Sequence, residues 1–152
     1  MKIMGLDYGS RTVGVAVSDA LLMTSQPREI LRREREHQLR RTLARIAEIV
    51  REEDIRLIVL GKPVHMDTSE GVRVGETLRF RDLVTQRTGL PVELSDERLT
   101  TVEADEMMDR MGIRRQDRRQ YVDMLAASVI LQEYMENHRT ELQKMLAEEG
   151  TP

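Results

Sequence analysis

Two short apolar runs, KIMGLDYG and TVGVAVSD, open the chain, with Gly9, Ser10 and Arg11 at their junction. Runs of strand length bounded by Gly and polar residues predict two strands joined as a β-hairpin. A weaker run from Pro27 to Leu31 predicts a third strand beside them. Leu39, Leu43, Ile46 and Val50 then recur at helical spacing among Arg and Glu, which predicts an amphipathic helix with one buried face. Arg56 to Gly61 is apolar on both faces, as in a strand covered by helices on each side. Beyond a polar stretch, Lys62 to Gly71, a helix is predicted from about Glu70 to Thr88, ended by Gly89 and Pro91, and PVELS follows as a short strand. Thr100 with Glu103 gives the capping-box pattern for a helix from Thr101 to Met111, closed by Gly112. The last helix starts at about Arg119 and is apolar nearly all round from Tyr121 to Leu131, so burial of that whole stretch is expected.

Strands that open as a meander and then alternate with helices predict an α/β fold, a mixed sheet with helices on both faces. No repeat or linker divides the chain, so residues 1–138 are expected to form one domain, with 139–152 as a C-terminal helix extension or dispensable tail. Parallel strands in such a sheet carry their functional ends at the carboxyl edge.

Composition narrows the chemistry. At 152 residues the chain is long enough for one core that buries about 68–70% of the unfolded surface. The absence of Cys excludes disulfides, thiolate zinc sites and a cysteine nucleophile, and three scattered His residues (37, 65 and 138) argue against a His-based zinc site. No apolar run approaches a membrane span, and the first residues turn polar too soon for a signal peptide, so a cytoplasmic protein is expected. The formal charge of -3 argues against nucleic-acid binding by charge alone. Arg nevertheless supplies 21 of the 24 cations, in two clusters: Arg32 to Arg45, and Arg110, Arg114, Arg115, Arg118 and Arg119. The guanidinium fork suits phosphate oxygens. The first cluster reads as a solvated helix face, the usual behaviour of a charge run; the second directly precedes the apolar last helix.

Three carboxylate positions stand out. Asp7 lies inside the first strand among apolar residues and Gly, where an ionised carboxylate loses hydration worth several kcal/mol unless a cation or hydrogen bonds replace it. Asp123 raises the same problem in YVDMLAASVIL, with Ala126 and Ala127 letting the helix approach whatever it faces. Asp96 and Glu97 follow the strand PVELS, where an α/β fold places functional groups. Taken singly, Asp7 and Asp123 fit a structural ion pair or a cap equally well, and the acidic pair fits a solvated turn. Together, a strand carboxylate, a strand-end carboxylate and a helix carboxylate suit hard divalent cations. Two Mg²⁺ or Mn²⁺ ions about 4 Å apart would activate a water and stabilise the leaving oxygen in phosphodiester hydrolysis.

Four segments, GLDYGSRTVGVAVSD (Gly5 to Asp19), LIVLGKPVHMDTSEG (Leu57 to Gly71), LSDERLTTVEAD (Leu94 to Asp105) and VDMLAASVILQEYM (Val122 to Met135), give the chain a further feature. In this order and spacing it resembles the YqgF-type Holliday junction resolvase-like family of pre-16S rRNA nucleases. The resemblance implies a ribonuclease H-like fold with a five-stranded mixed sheet. It also implies a metal-dependent nuclease that matures the 5′ end of pre-16S rRNA, with the small ribosomal subunit as a further partner. The family's acidic positions fall on Asp7, Glu97 and Asp123, with Asp7 as bridging ligand and the other two outside it. The basic loop before the last helix, Arg114 to Arg119, would meet a phosphate backbone, together with Arg11 and Arg98. Lys62, His65 and Thr68 depart from the family pattern, and His65 is not assigned a catalytic role.

Two other functions fit the same residues. A non-catalytic domain could bind structured RNA or a ribosomal or transcription partner; four aromatic residues, Tyr8, Phe80, Tyr121 and Tyr134, are too few for single-strand stacking, so recognition would rest on shape and phosphates. A resolvase acting on branched DNA would need a symmetric dimer, and no dimer seam is visible, which leaves a monomer or a weak homodimer. The hairpin also resembles the first phosphate loop of actin and sugar-kinase ATPases, but the chain has neither their second domain nor a second Gly-rich loop.

Overall fold

The computed structural model describes residues 1–63, 70–97, 101–110 and 112–149. The strands are β1 (Lys2–Tyr8), β2 (Thr12–Ser18), β3 (Ser25–Arg32), β4 (Ile55–Pro63) and β5 (Val92–Glu97). Between and after them lie α1 (Arg40–Glu52), α2 (Glu70–Thr88), α3 (Thr101–Arg110), α4 (Arg118–Asn137) and α5 (Arg139–Glu149), with a single 3₁₀ turn at Arg115–Asp117. They form one sheet in the order β3-β2-β1-β4-β5. The β1–β2 and β2–β3 pairs are antiparallel, while β4 is parallel to both β1 and β5. A mixed five-stranded sheet is therefore present, and β1 is its central strand.

Strand alternation sorts the apolar residues into two cores. Met4, Leu6 and Tyr8 of β1, with Val13, Val15 and Val17 of β2, pack against Ile46 and Ile49 of α1 and Phe80 and Val84 of α2. On the other face, Ile3, Ala16, Leu57 and Val59 meet Ala127, Ile130, Leu131, Tyr134 and Met135 of α4. Each large side chain buried in this way stabilises the fold by about 1.5–3 kcal/mol. Pro27 is tolerated because β3 is an edge strand, and its register against β2 shifts between Val15 and Ala16, beside the proline's own partner. Gly89 and Gly112, both at φ +72°, end α2 and α3 as their positions in the sequence suggested.

One expectation needs correction. Tyr121 and Val122, expected to be buried, remain 37% and 36% exposed, because the first turn lies ahead of the helix's contact with the sheet; among the described side chains of α4, Leu125 is the first that is buried. Residues 139–149 form α5, which buries Leu142 beside the α4 core with Met145 and Leu146 packed near it, and places Glu149 at 3.4 Å from the N-terminal ammonium.

Candidate active site

The carboxyl edge of the parallel strands is built from the ends of β1, β4 and β5. Asp7 is the penultimate residue of β1, half-buried, and pairs in register with Gly14 of the hairpin's second strand. Alternation sets it on the face of Ile3 and Gly5, the α4 face, while Tyr8 turns to the opposite side. α4 comes unusually close to β1 at Gly5. A Cβ on Gly5 would sit 2.8 Å from the Ala127 carbonyl oxygen and 2.8 Å from Leu131 Cβ. Only glycine fits there, and this approach fixes the axis of α4 over the central strand.

From that crossing the two elements lead to two of the candidate carboxylates. The strand runs two residues on from Gly5 to Asp7, about 7 Å. The helix runs one turn back from Ala127 to Asp123, about 6 Å, on the same helical stripe as Ala127. The third position lies on β5. The strand was expected to end at Ser95, but the β4 ladder continues through Lys62–Asp96 and Pro63–Glu97, so Glu97 is the last strand residue and not a member of a turn. Glu97 belongs two strands away from Asp7, with β4 between them, about 10 Å in the direction across the sheet.

The side chains of Glu97, Asp123 and Arg119 lie outside the described residues, as do all of Arg98, His65, Thr68 and Thr100. Among the described residues, no three His, Asp or Glu side chains are grouped to hold a metal ion. Asp96 is exposed. Lys62 is half-buried on β4 between the two acidic strands.

The opposite side of the same strand end carries a different arrangement. Tyr8 stacks on Phe80 of α2, with ring centroids 4.4 Å apart and 14° between planes, and the Arg33 guanidinium carbon lies 5.0 Å from the Tyr8 centroid. Burial pushes the Tyr8 hydroxyl above its ordinary value, an effect opposed by the Arg33 charge. Arg33 also ties down the β1–β2 turn: its Nη2 donates to the Gly9 carbonyl at 2.6 Å, and its backbone N–H donates to the Arg11 carbonyl at 2.9 Å. Arg11 itself is exposed at the turn. Nearby, a side-chain hydrogen bond that the protonated Glu76 carboxyl donates to Glu36, then burial, raises Glu76 above its usual range.

The basic loop before α4 is only partly open to a ligand. Arg118, 19% exposed, donates to Asp105 at 3.4 Å and also binds Asp109, which holds its charge in place. Arg114 pairs with Asp117 at 3.2 Å but stays largely exposed. Arg115 and Arg110 are exposed and form no ion pair among the described residues.

Residues 1–137 match the family described as RuvX, Holliday junction resolvase. The chain belongs to the RuvX family. A protein of Agathobacter rectalis named "Putative pre-16S rRNA nuclease" is 54% identical over 136 residues, covering 90% of this chain and 95% of its own. A Myxococcus xanthus protein of the same name is 42% identical, covering 91% and 90%. Among solved structures, Thermus thermophilus RuvC in complex with a Holliday junction substrate aligns with a TM-score of 0.58 at 16% identity, over 92% of this chain and 96% of RuvC. The Fowlpox virus resolvase with Holliday junction DNA aligns at 0.51 and 11%, over 90% and 98%. At these identities the likeness concerns the fold, which is the ribonuclease H-like fold expected. The RuvX match ends at Asn137, the last residue of α4, so all three acidic positions lie within it and α5 lies beyond it. Among the described residues of this RuvX protein, no helix is long and apolar enough to cross a membrane.

Proposed function

We propose that this RuvX-family protein is a cytoplasmic, metal-dependent nuclease that hydrolyses a phosphodiester bond at the 5′ end of pre-16S rRNA, and that it meets that substrate on the small ribosomal subunit. The observation that carries the reading is the close crossing of α4 over β1 at Gly5, with Asp7 on the α4 face and Asp123 one turn before the crossing residue. β5, parallel to β4, ends at Glu97 on the same edge. The substrate class follows from the relatives, whose shared name refers to pre-16S rRNA.

The candidate donors are carboxylate oxygens, the set that Mg²⁺ and Mn²⁺ prefer, and the chain has no thiolate to compete. Asp7, Glu97 and Asp123 would hold one or two such ions. When bound, the cations lower the pKa of an attacking water and stabilise charge on the leaving oxygen. Asp7, on the central strand, would be the ligand common to the ions, with Glu97 at the end of β5 and Asp123 of α4 as the outer ones. Arg11, Arg110 and Arg115, exposed around this edge and the adjoining loop, would hold the phosphate backbone in register, with Arg98 and Arg119 as further contacts.

Cleavage of an RNA carrying the pre-16S 5′ leader tests the reading. In Mg²⁺ buffer Asp7→Asn, Glu97→Gln and Asp123→Asn should each lose at least about a hundredfold in rate while remaining folded. A variant that cleaves like wild type removes its residue from the site. A four-way DNA junction run in parallel decides the substrate: preferential cutting of the junction would replace the RNA assignment with the resolvase one.

A further inference from the structure

We propose that the cleft between the end of β3 and the first turn of α1 is a second nucleic-acid contact that seats a backbone phosphate of the strand flanking the cleavage site. This rests on reading the chain as a nucleic-acid enzyme. The cleft has a volume of about 660 Å³ and is lined by Arg32, Arg33, Gln38, Arg40, Arg41 and Thr42. Among the described residues, Glu34 is the only acidic one in its lining.

Three independent features call for an anion there. Arg33 is nine-tenths buried, yet its bonded partners are carbonyl oxygens: Nε donates to Glu36 O at 3.0 Å and Nη2 to Gly9 O at 2.6 Å. Among the described residues its Nη1 is buried without a hydrogen-bond partner. A charged donor left so carries its full desolvation penalty until an acceptor reaches it. The second feature is α1 itself. Its N-cap, Leu39, provides no side-chain cap, its first turn contains no acidic residue, and Arg40 and Arg41 place two positive charges at the positive end of the helix dipole. That arrangement is unfavourable without an anion, and favourable with one. The third is the state of the surrounding arginines. Arg28 and Arg45, adjacent on β3 and α1, are held by Glu29, Glu48, Glu52 and Glu53, whereas Arg32, Arg40 and Arg41 make no ion pair among the described residues.

Position selects the ligand. Arg33 binds both Gly9 and Arg11 in the turn that follows Asp7, so the cleft and the candidate active site share the two sides of one hairpin end. A phosphate here would belong to the strand leaving the active site across that turn. Free inorganic phosphate offers the same chemistry, and the test separates the two.

Binding of fluorescein-labelled pre-16S leader RNA to the full chain is measured by anisotropy in EDTA, where no cleavage occurs, between about 50 and 200 mM NaCl. Arg40→Ala/Arg41→Ala should weaken binding about tenfold and reduce the slope of log K against log salt by about one. Arg33→Gln, checked by thermal melting, should do the same, whereas Arg51→Ala at the other end of α1 should bind as wild type. Inorganic phosphate at constant ionic strength should compete with RNA for the wild type more than for the double variant. An unchanged affinity and salt slope in the double variant overturns the proposal. So does phosphate raising the Tm of wild type alone while RNA binding stays equal, since the cleft then takes free phosphate only. The outcome is separate from the cleavage test: if Asp7→Asn is inactive and the double variant binds normally, the cleft fails and the active site stands. If Asp7→Asn cleaves normally, the active-site assignment fails and the binding result keeps its meaning.

Discussion

Asp7 and Tyr8 are consecutive residues whose side chains enter two environments built on opposite principles. On the α4 face the approach is close and depends on what is missing: Gly5 has no Cβ, and the Ala127 carbonyl and Leu131 occupy the space a side chain would need. On the α2 face a large group fills the gap, the Tyr8 ring stacked on Phe80 with Arg33 seated over it. The first arrangement brings a helix carrying a carboxylate toward a strand carrying another. The second positions a buried guanidinium beside the turn that follows Asp7. One strand end thereby serves both the proposed carboxylate site and the proposed arginine cleft, and the pleat separates them without any additional element.

The largest expected effect lies on the close face. Gly5→Ala should destabilise the protein by about 2 kcal/mol, since neither the helix backbone nor the Leu131 Cβ can swing aside, and overpacking of this kind typically costs 1–3 kcal/mol. Its Tm should fall by about 4–8 °C, and RNA cleavage below the transition should fall further than stability accounts for, because α4 is displaced from β1. An unchanged Tm would mean that the crossing is looser than described. On the filled face, Tyr8→Leu should cost about 1 kcal/mol through loss of the ring stack and the cation–π contact. It should also weaken RNA binding in EDTA, while Tyr8→Phe keeps both. Equal RNA binding by Tyr8→Leu and wild type would detach the Arg33 cleft from the ring.

The smallest effect concerns the ion pairs behind that face. A hydrogen bond from Arg45 holds the Glu29 carboxyl below its ordinary value of 4.5, and one from Lys2 does the same for Glu53. Both groups have depressed values in the folded protein, so they stabilise it above pH 4.5 and that contribution is lost as the pH falls through their folded values. With side chains 27% and 22% exposed, each contributes less than about 1 kcal/mol after solvent screening. Acid melting of Arg45→Met should show a shallower loss of Tm below pH 4.5 than wild type; identical slopes would remove the pair from the balance.

The strands and main helices were legible because their apolar spacing matches the two-sided burial that the sheet imposes. β5 runs two residues past the expected end at Ser95, through Asp96 and Glu97, since no local signal tells a polar strand end from a turn when the ladder partner is Lys62–Pro63, which itself has no apolar alternation. Tyr121 looked buried because an apolar run gives no indication of where a helix first touches its sheet. The arginine clusters were the least legible. Arg118 and Arg33 look alike in sequence, and their difference arises across elements: Asp105 and Asp109 of α3 take the first, while the second receives only carbonyls and a ring. The Arg32 to Arg45 run, read as a solvated face, separates into a neutralised half around Glu29, Glu48 and Glu52 and an unneutralised half around a cleft.

Calorimetric titration of Mn²⁺ into wild type and into Asp7→Asn, Glu97→Gln and Asp123→Asn, each confirmed folded by circular dichroism, tests without recourse to any substrate whether the three carboxylates serve one metal site. Each substitution alone should remove most of the wild-type binding. A variant that titrates like wild type, or a wild type that takes up no Mn²⁺, would contradict it.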